Sequence, residues 1–107
     1  MTNFDKRRDA FESKFARDAD MRFKAVARRN KLTGLWAAEL LGLSDDQAHA
    51  YAHEVIKADL EEAGDEDVVR KISADFAAKG VAVTDDQIRV KLLDDLGVAI
   101  AEVEAGR

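Results

Sequence analysis

Residues 44–106 read SDDQAHAYAHEVIKADLEEAGDEDVVRKISADFAAKGVAVTDDQIRVKLLDDLGVAIAEVEAG, and their punctuation decides the fold. Ser44-Asp45-Asp46-Gln47 and Thr84-Asp85-Asp86-Gln87 both match a capping box. In that motif a hydroxyl accepts from the amide three residues on, and a Gln side chain returns the bond. Each box opens a helix and puts two acids in its first turn, where the helix dipole favours anions. After Ser44, the residues Ala48, Ala52, Val55, Ile56, Leu60 and Ala63 make one apolar face, and Gly64 ends the run. Asp65 then caps a helix over 66–79 with Val68, Val69, Ile72, Phe76 and Ala77 inward, and Gly80 stops it. A last helix over 85–105 buries Ile88, Leu92, Leu93, Leu96, Ala99, Ile100 and Val103. The segment 81–83 is too short for a sheet. The two boxes are shared caps, and no internal repeat accompanies them.

Working outward to the N-terminal side, the chain contains no proline and 19 alanines, a composition that favours helix throughout. Phe4, Phe11, Phe15, Ala19, Phe23 and Val26 fall on one helical stripe, which Trp36 and Leu40 continue. Gly34 is the expected weak point, because glycine costs up to ~1 kcal/mol in a helix interior, so a bend or break is expected near 30–34. Phe23, Val26, Trp36 and Leu40 are expected to pack on the chain's own core. The linkers at 42–45, 64–65 and 80–84 are short, which implies antiparallel neighbours. The fold class is therefore all-α, a small four-helix bundle over residues 19–107. Residues 1–18 remain as a mobile, partly helical N-terminal arm, since a short isolated helix loses to chain entropy.

The arm also stands apart in charge. Residues 1–31 carry ten Lys/Arg against five Asp/Glu, and the other 76 residues carry seven against seventeen. Residues 1–25 hold four of the five phenylalanines and no Leu, Ile or Val. With 107 residues there is room for one domain. The absence of cysteine excludes disulfides and thiolate metal sites. The charged start MTNFDKRRD does not resemble a signal peptide, and no apolar run nears the ~18 residues of a membrane span. A cytoplasmic protein without direct membrane insertion is expected.

Enzymatic chemistry has little support. No glycine-rich phosphate loop is present, and Ser44 is better explained as a cap than as a nucleophile. The acid pairs Asp45-Asp46, Asp85-Asp86 and Asp94-Asp95 point about 100° apart on a helix and do not converge on a substrate. No catalytic residue and no cofactor are assigned. His49 and His53, at i, i+4, share a helix face and form a two-ligand candidate metal pair, short of the three or four ligands a site needs. Lys24, Arg28, Arg29 and Lys31 form a basic cluster suited to phosphates, and AELLGLS followed by a helix has a helix-turn-helix outline. However, the would-be recognition helix over 45–63 carries six acids and one lysine, which a duplex would repel, so no nucleic acid is expected. Lipid is disfavoured by Asp5, Asp9, Glu12, Asp18 and Asp20, which interrupt the arm's basic face. A protein groove suits the arm better. Phe4, Phe11 and Phe15 have the spacing of helix-in-groove anchors, and the opposite face is dense with Lys6, Arg7, Arg8, Lys14 and Arg17.

FESKFARDADMRFKAVARRNKLTGLWAAELLGLS, VIKADLEEAGDEDVVRKISADFAAKGV and TDDQIRVKL together resemble the alphaproteobacterial ATPase inhibitor zeta subunit family, over essentially the whole chain. RRNKLTGLWAAELLG is the most specific part. The resemblance implies a non-enzymatic four-helix protein that binds the F1 sector of ATP synthase through its α, β and central-stalk γ subunits. It also implies an N-terminal segment that enters a catalytic α/β interface as a helix and blocks rotation in the hydrolytic direction, impeding synthesis much less. Its location would be the cytosolic face of the inner membrane, held there by the synthase. The role parallels that of the mitochondrial ATPase inhibitor protein, whose coiled coil is unrelated. Two alternatives stay open: a helical regulator that binds adenine nucleotide, and a helix-turn-helix-like DNA-binding protein.

Overall fold

The computed structural model describes residues 19–60 and 64–106. Four helices follow one another: α1 (Ala19–Leu40), α2 (Asp45–Ala58), α3 (Glu66–Lys79) and α4 (Asp85–Glu104). Both capping boxes form with both bonds in place. The Gln47 amide donates to Ser44 Oγ at 3.4 Å and the Ser44 amide to Gln47 Oε1 at 3.2 Å. The Thr84–Gln87 pair is tighter, at 3.1 and 2.9 Å.

α1 is the hub of the bundle. It packs against each of the other three helices, most extensively against α2 and α4, and α3 closes on both of those. The core centres on Ala37, Ala38, Leu41, Tyr51, Val55, Val68, Val69, Ile72, Phe76, Ile88 and Leu92. Trp36 is half-buried and meets Phe76 edge-on, ring centres 5.7 Å apart.

α1 runs unbroken through Gly34, against the expected bend. A Cβ on Gly34 would lie 2.8 Å from the Ala52 Cα and 3.2 Å from its Cβ. The glycine thus lets α1 and α2 cross backbone to backbone, and tertiary contact offsets its poor helix propensity. α1 ends instead at Leu40, and Gly42 just beyond it has φ +75° while the Leu43 amide reaches back to the Ala38 carbonyl at 3.0 Å, a left-handed helix stop.

Several expected core positions are not in the core. Phe23 is 65 % exposed and Leu40 44 %, so the aromatic stripe of α1 does not pack on the bundle there. The inward face consists of Ala25, Arg29, Asn30, Thr33, Gly34, Ala37 and Ala38, small or polar residues that admit close neighbours. α2 ends at Ala58, before the expected Gly64, and leaves Leu60 71 % exposed. Acids at Asp59, Glu61 and Glu62 oppose helix extension at a C-terminus, and the Asp59 carboxylate is engaged by α1. Ala77 faces outward. In α4, Leu93 is 70 % exposed and Asp95 is buried in its stead. The spacing Ile88, Leu92, Asp95, Ala99 defines the inward line, and Leu93 sits about 100° off it. The expectation for Ala63 falls outside the described residues.

Candidate functional site

The arm residues singled out from the sequence, Phe4, Lys6, Arg7, Arg8, Phe11, Lys14, Phe15 and Arg17, lie outside the described residues. The structure does show the surface they lead into. α1 is described from Ala19 onward, and its first described turns carry exposed Arg22, Phe23 and Lys24. Clefts flank Phe23 on both sides. One, of about 380 Å³, is lined by Val26 of α1 with Ile56 and Leu60 from the end of α2. The other, of about 550 Å³, is lined by Lys24, Arg28 and Lys31 with Val103 of α4.

The basic cluster read from the sequence divides into different roles. Lys24 pairs with Asp20 at 3.0 Å, one turn away on the surface. Arg28 reaches Glu102 of α4 at 3.7 Å. Lys31 is exposed. Arg29 is buried: its Nη2 donates to Asp65 Oδ1 at 2.9 Å and to Asn30 Oδ1 at 2.8 Å, with Asp59 Oδ2 at 3.6 Å. Asn30 Nδ2 donates to the same Asp59 oxygen at 2.9 Å. Two consecutive residues of α1 thereby hold both ends of the α2–α3 connection. Asp65 has no side-chain capping bond to α3, because its carboxylate is turned to the guanidinium. A second buried link joins α1 to α4. Thr33 Oγ1 donates to Asp95 Oδ2 at 2.8 Å, and Lys91 approaches Asp95 Oδ1 at 3.1 Å while lying 5.9 Å above the Trp36 ring. Reading the sequence missed both links. The available signal was register: Arg29 and Thr33 fall at i+4 and i+8 from Ala25, on the small-residue face.

The remaining candidates are dispersed. His49 and His53 are both exposed on α2, and among the described residues no three His, Asp or Glu are placed to hold a metal ion. Asp45, Asp46, Asp85 and Asp86 are exposed in helix first turns, and Asp94 points outward while Asp95 points in. A cleft of about 540 Å³ between α2 and α3 is lined by Tyr51, Glu54, Lys71 and Asp75 with Leu41 and Leu43. Tyr51 donates to Asp75 Oδ2 at 2.7 Å. Burial, then this bond to a carboxylate, pushes the phenol well above its usual titration range. Lys71 lies 3.1 Å from Asp75, 3.7 Å from Glu54 and 5.0 Å over the Tyr51 ring, so its charge is already shared among acids and an aromatic face. On the surface, Arg89 bridges Glu66 and Asp86 at 2.7 Å each, and its hydrogen bond holds the Glu66 carboxyl below the usual range. Among the described residues, no helix is long and apolar enough to cross a membrane.

The described surface therefore offers polar links turned inward and an apolar ridge, near the start of α1, turned outward. Comparison with known proteins gives that pattern a context. No curated protein matches the chain. A structure solved in solution by NMR is 50 % identical, with a TM-score of 0.72, covering 81 % of this chain and 99 % of that one. The model of the family described as ATPase inhibitor subunit zeta matches residues 1–102, which takes in the arm as well as the bundle, and the chain belongs to that family.

Proposed function

We propose that this chain inhibits ATP hydrolysis by the F1 sector of ATP synthase and is not itself an enzyme. Residues 1–18 would be the inhibitory arm and residues 19–107 the domain that carries it. The observation behind this reading is the family match, which includes the basic, phenylalanine-spaced segment together with the body. In this mechanism the arm enters a catalytic α/β interface near the γ subunit and folds there as a helix. Phe4, Phe11 and Phe15 fill an apolar crevice, and Lys6, Arg7, Arg8, Lys14 and Arg17 steer the approach and pair with acids at its rim. Folding on binding costs about 2–5 kcal/mol of the gross interaction, and the burial of three aromatic side chains offsets it. A helix wedged in that interface blocks rotation in the hydrolytic direction and impedes synthesis much less. The bundle stays outside as a stop, and the protein resides at the cytosolic face of the membrane through its partner.

The test is ATP hydrolysis by isolated F1 from the same organism, with the full chain and with a chain lacking residues 1–18. The full chain inhibits; the truncated chain keeps its helical circular dichroism and does not. Full inhibition by the truncated chain refutes the role of the arm, and no inhibition by the full chain refutes the function.

A further inference from the structure

We infer that the contact with the partner does not end with the arm. It continues onto the body through Phe23 of α1 and Leu60 at the end of α2, which form a second anchor in an apolar groove with an acidic rim on the same catalytic head. This rests on the function proposed above.

Three observations carry it. The first is exposure. Phe23 and Leu60 are 65 % and 71 % exposed, the two most exposed large apolar side chains at this end of the bundle, and with Val26 and Ile56 they border one cleft. The second is register. Phe23 follows Phe15 by eight residues, about 12 Å along a helix axis, and Ala19 lies between them on the same stripe. An arm that becomes helical on its partner leads into α1, where Phe23 stands about 80° around the axis from Phe15, at the edge of the stripe and next along it for a surface that curves around the helix. The third is charge. Arg22, Lys24 and Lys31 are exposed around Phe23, and residues 1–31 carry ten Lys/Arg against five Asp/Glu, while the rest of the chain is acidic. In a two-fold pair of copies this positive collar would face its own like, which like charge disfavours, whereas an acidic rim on the partner complements it. The clefts on either side of Phe23 can receive side chains from the partner, as a central aromatic anchor usually requires.

The test compares the unaltered chain with F23Q/L60Q and L93Q in inhibition of ATP hydrolysis by isolated F1. Leu93 is equally exposed, at 70 %, but borders neither cleft beside Phe23. Losing one anchor aromatic and its apolar neighbour should raise the concentration for half-inhibition about tenfold or more, while L93Q leaves it unchanged. All three chains should melt alike, since the altered side chains are largely in water. If the double variant melts lower, F23Q alone decides, with an expected weakening of about threefold. Inhibition by F23Q/L60Q that is as tight as, or tighter than, that of the unaltered chain overturns the inference. Sedimentation of both chains then shows whether a second copy covers the patch. If deletion of residues 1–18 abolishes inhibition while F23Q/L60Q inhibits normally, this inference fails alone and the proposed function stands. No inhibition by the unaltered chain overturns both.

Discussion

Replacing Gly34 by alanine adds one methyl group to the middle of α1, and two opposing effects set the outcome. Alanine is the better helix former by about 1 kcal/mol, and α1 is helical on both sides of the position. Against this, the new Cβ would sit 2.8 Å from the Ala52 Cα, and that atom belongs to the backbone of α2 and cannot rotate away. Reaching ordinary contact at 3.4 Å requires the helices to part by about 0.6 Å at the crossing. A radial gap of that size forfeits roughly a quarter to a half of each dispersion contact it opens. The loss falls on the seam where Ala37, Ala38, Ala52 and Val55 are all essentially buried. Overpacking of this kind typically costs about 1–3 kcal/mol. The net expectation for G34A is a loss of about 1 kcal/mol, or about 4–8 °C in Tm for a domain of this size.

Gly97 supplies the internal control. It lies inside α4, is exposed, and a Cβ there meets nothing within 4 Å. G97A should therefore gain about 0.5–1 kcal/mol from propensity alone. The same chemical change is thus expected to move stability in opposite directions at two helical positions. Thermal and urea unfolding followed by helical circular dichroism read both. A G34A protein that melts above the parent, as G97A does, would refute the claim that the α1–α2 crossing requires a glycine.

Arg29→Met keeps the bulk and removes the charge, leaving the largely buried Asp59 and the half-exposed Asp65 without their cation. Breaking a buried pair costs about 3–5 kcal/mol, and the exposure of Asp65 lowers the expectation to about 2 kcal/mol in urea unfolding. Thr33→Val leaves the Asp95 carboxylate without its hydroxyl donor in a buried site, at a cost of about 1.5–3 kcal/mol in the same assay. Tyr51 has its proton held more tightly folded than unfolded, so its contribution is complete below the ordinary phenol value of about 10 and lost progressively as pH rises above it. In Y51F the unfolding free energy is lower at neutral pH, and its difference from the parent narrows between pH 10 and 12; a constant difference across that range would contradict the assignment.

Local chemistry made most of the architecture legible in the sequence. The Ser44 and Thr84 boxes place helix starts by hydrogen bonds that need only four residues, and both starts fall where those bonds put them. The inward residues Val68, Val69, Ile72 and Phe76 follow from simple periodicity because α3 has a single aliphatic face. Periodicity failed where a helix has two apolar faces or a polar inward one. α4 has leucines at both 92 and 93, and only the partner helices decide which of them is buried. In α1 Trp36 packs on the core as the stripe predicts, but Phe23 and Leu40 are exposed and the inward face includes Arg29, Asn30, Thr33 and Gly34. Their partners Asp59, Asp65, Asp95 and Ala52 are distant in the sequence, so no local pattern reveals the match. The arm residues lie outside the described part, so the assignment of the candidate site there still rests on spacing and family.

The exchange of roles on α1 bears on how an inhibitor of this kind is built. A helix that uses Phe and Leu to hold its own bundle cannot also offer them to a partner. Here, apart from Trp36 against Phe76, the inward contacts are made by small residues and by fixed polar bonds, Arg29 to Asp65, Asn30 to Asp59 and Thr33 to Asp95. Such bonds demand geometry and consume little apolar surface, which leaves Phe23 on the outer face. The side chains that anchor α1 to its body are thus separate from those available to a partner, although both sets lie on the same helix. A body joined through directional bonds and a glycine crossing also holds α1 in one orientation, so that a helix extended from Ala19 leaves the bundle in a fixed direction. Loosening the Arg29 link should then blur that direction as well as lower stability, and a defect in inhibition larger than the population of unfolded R29M explains would be its signature.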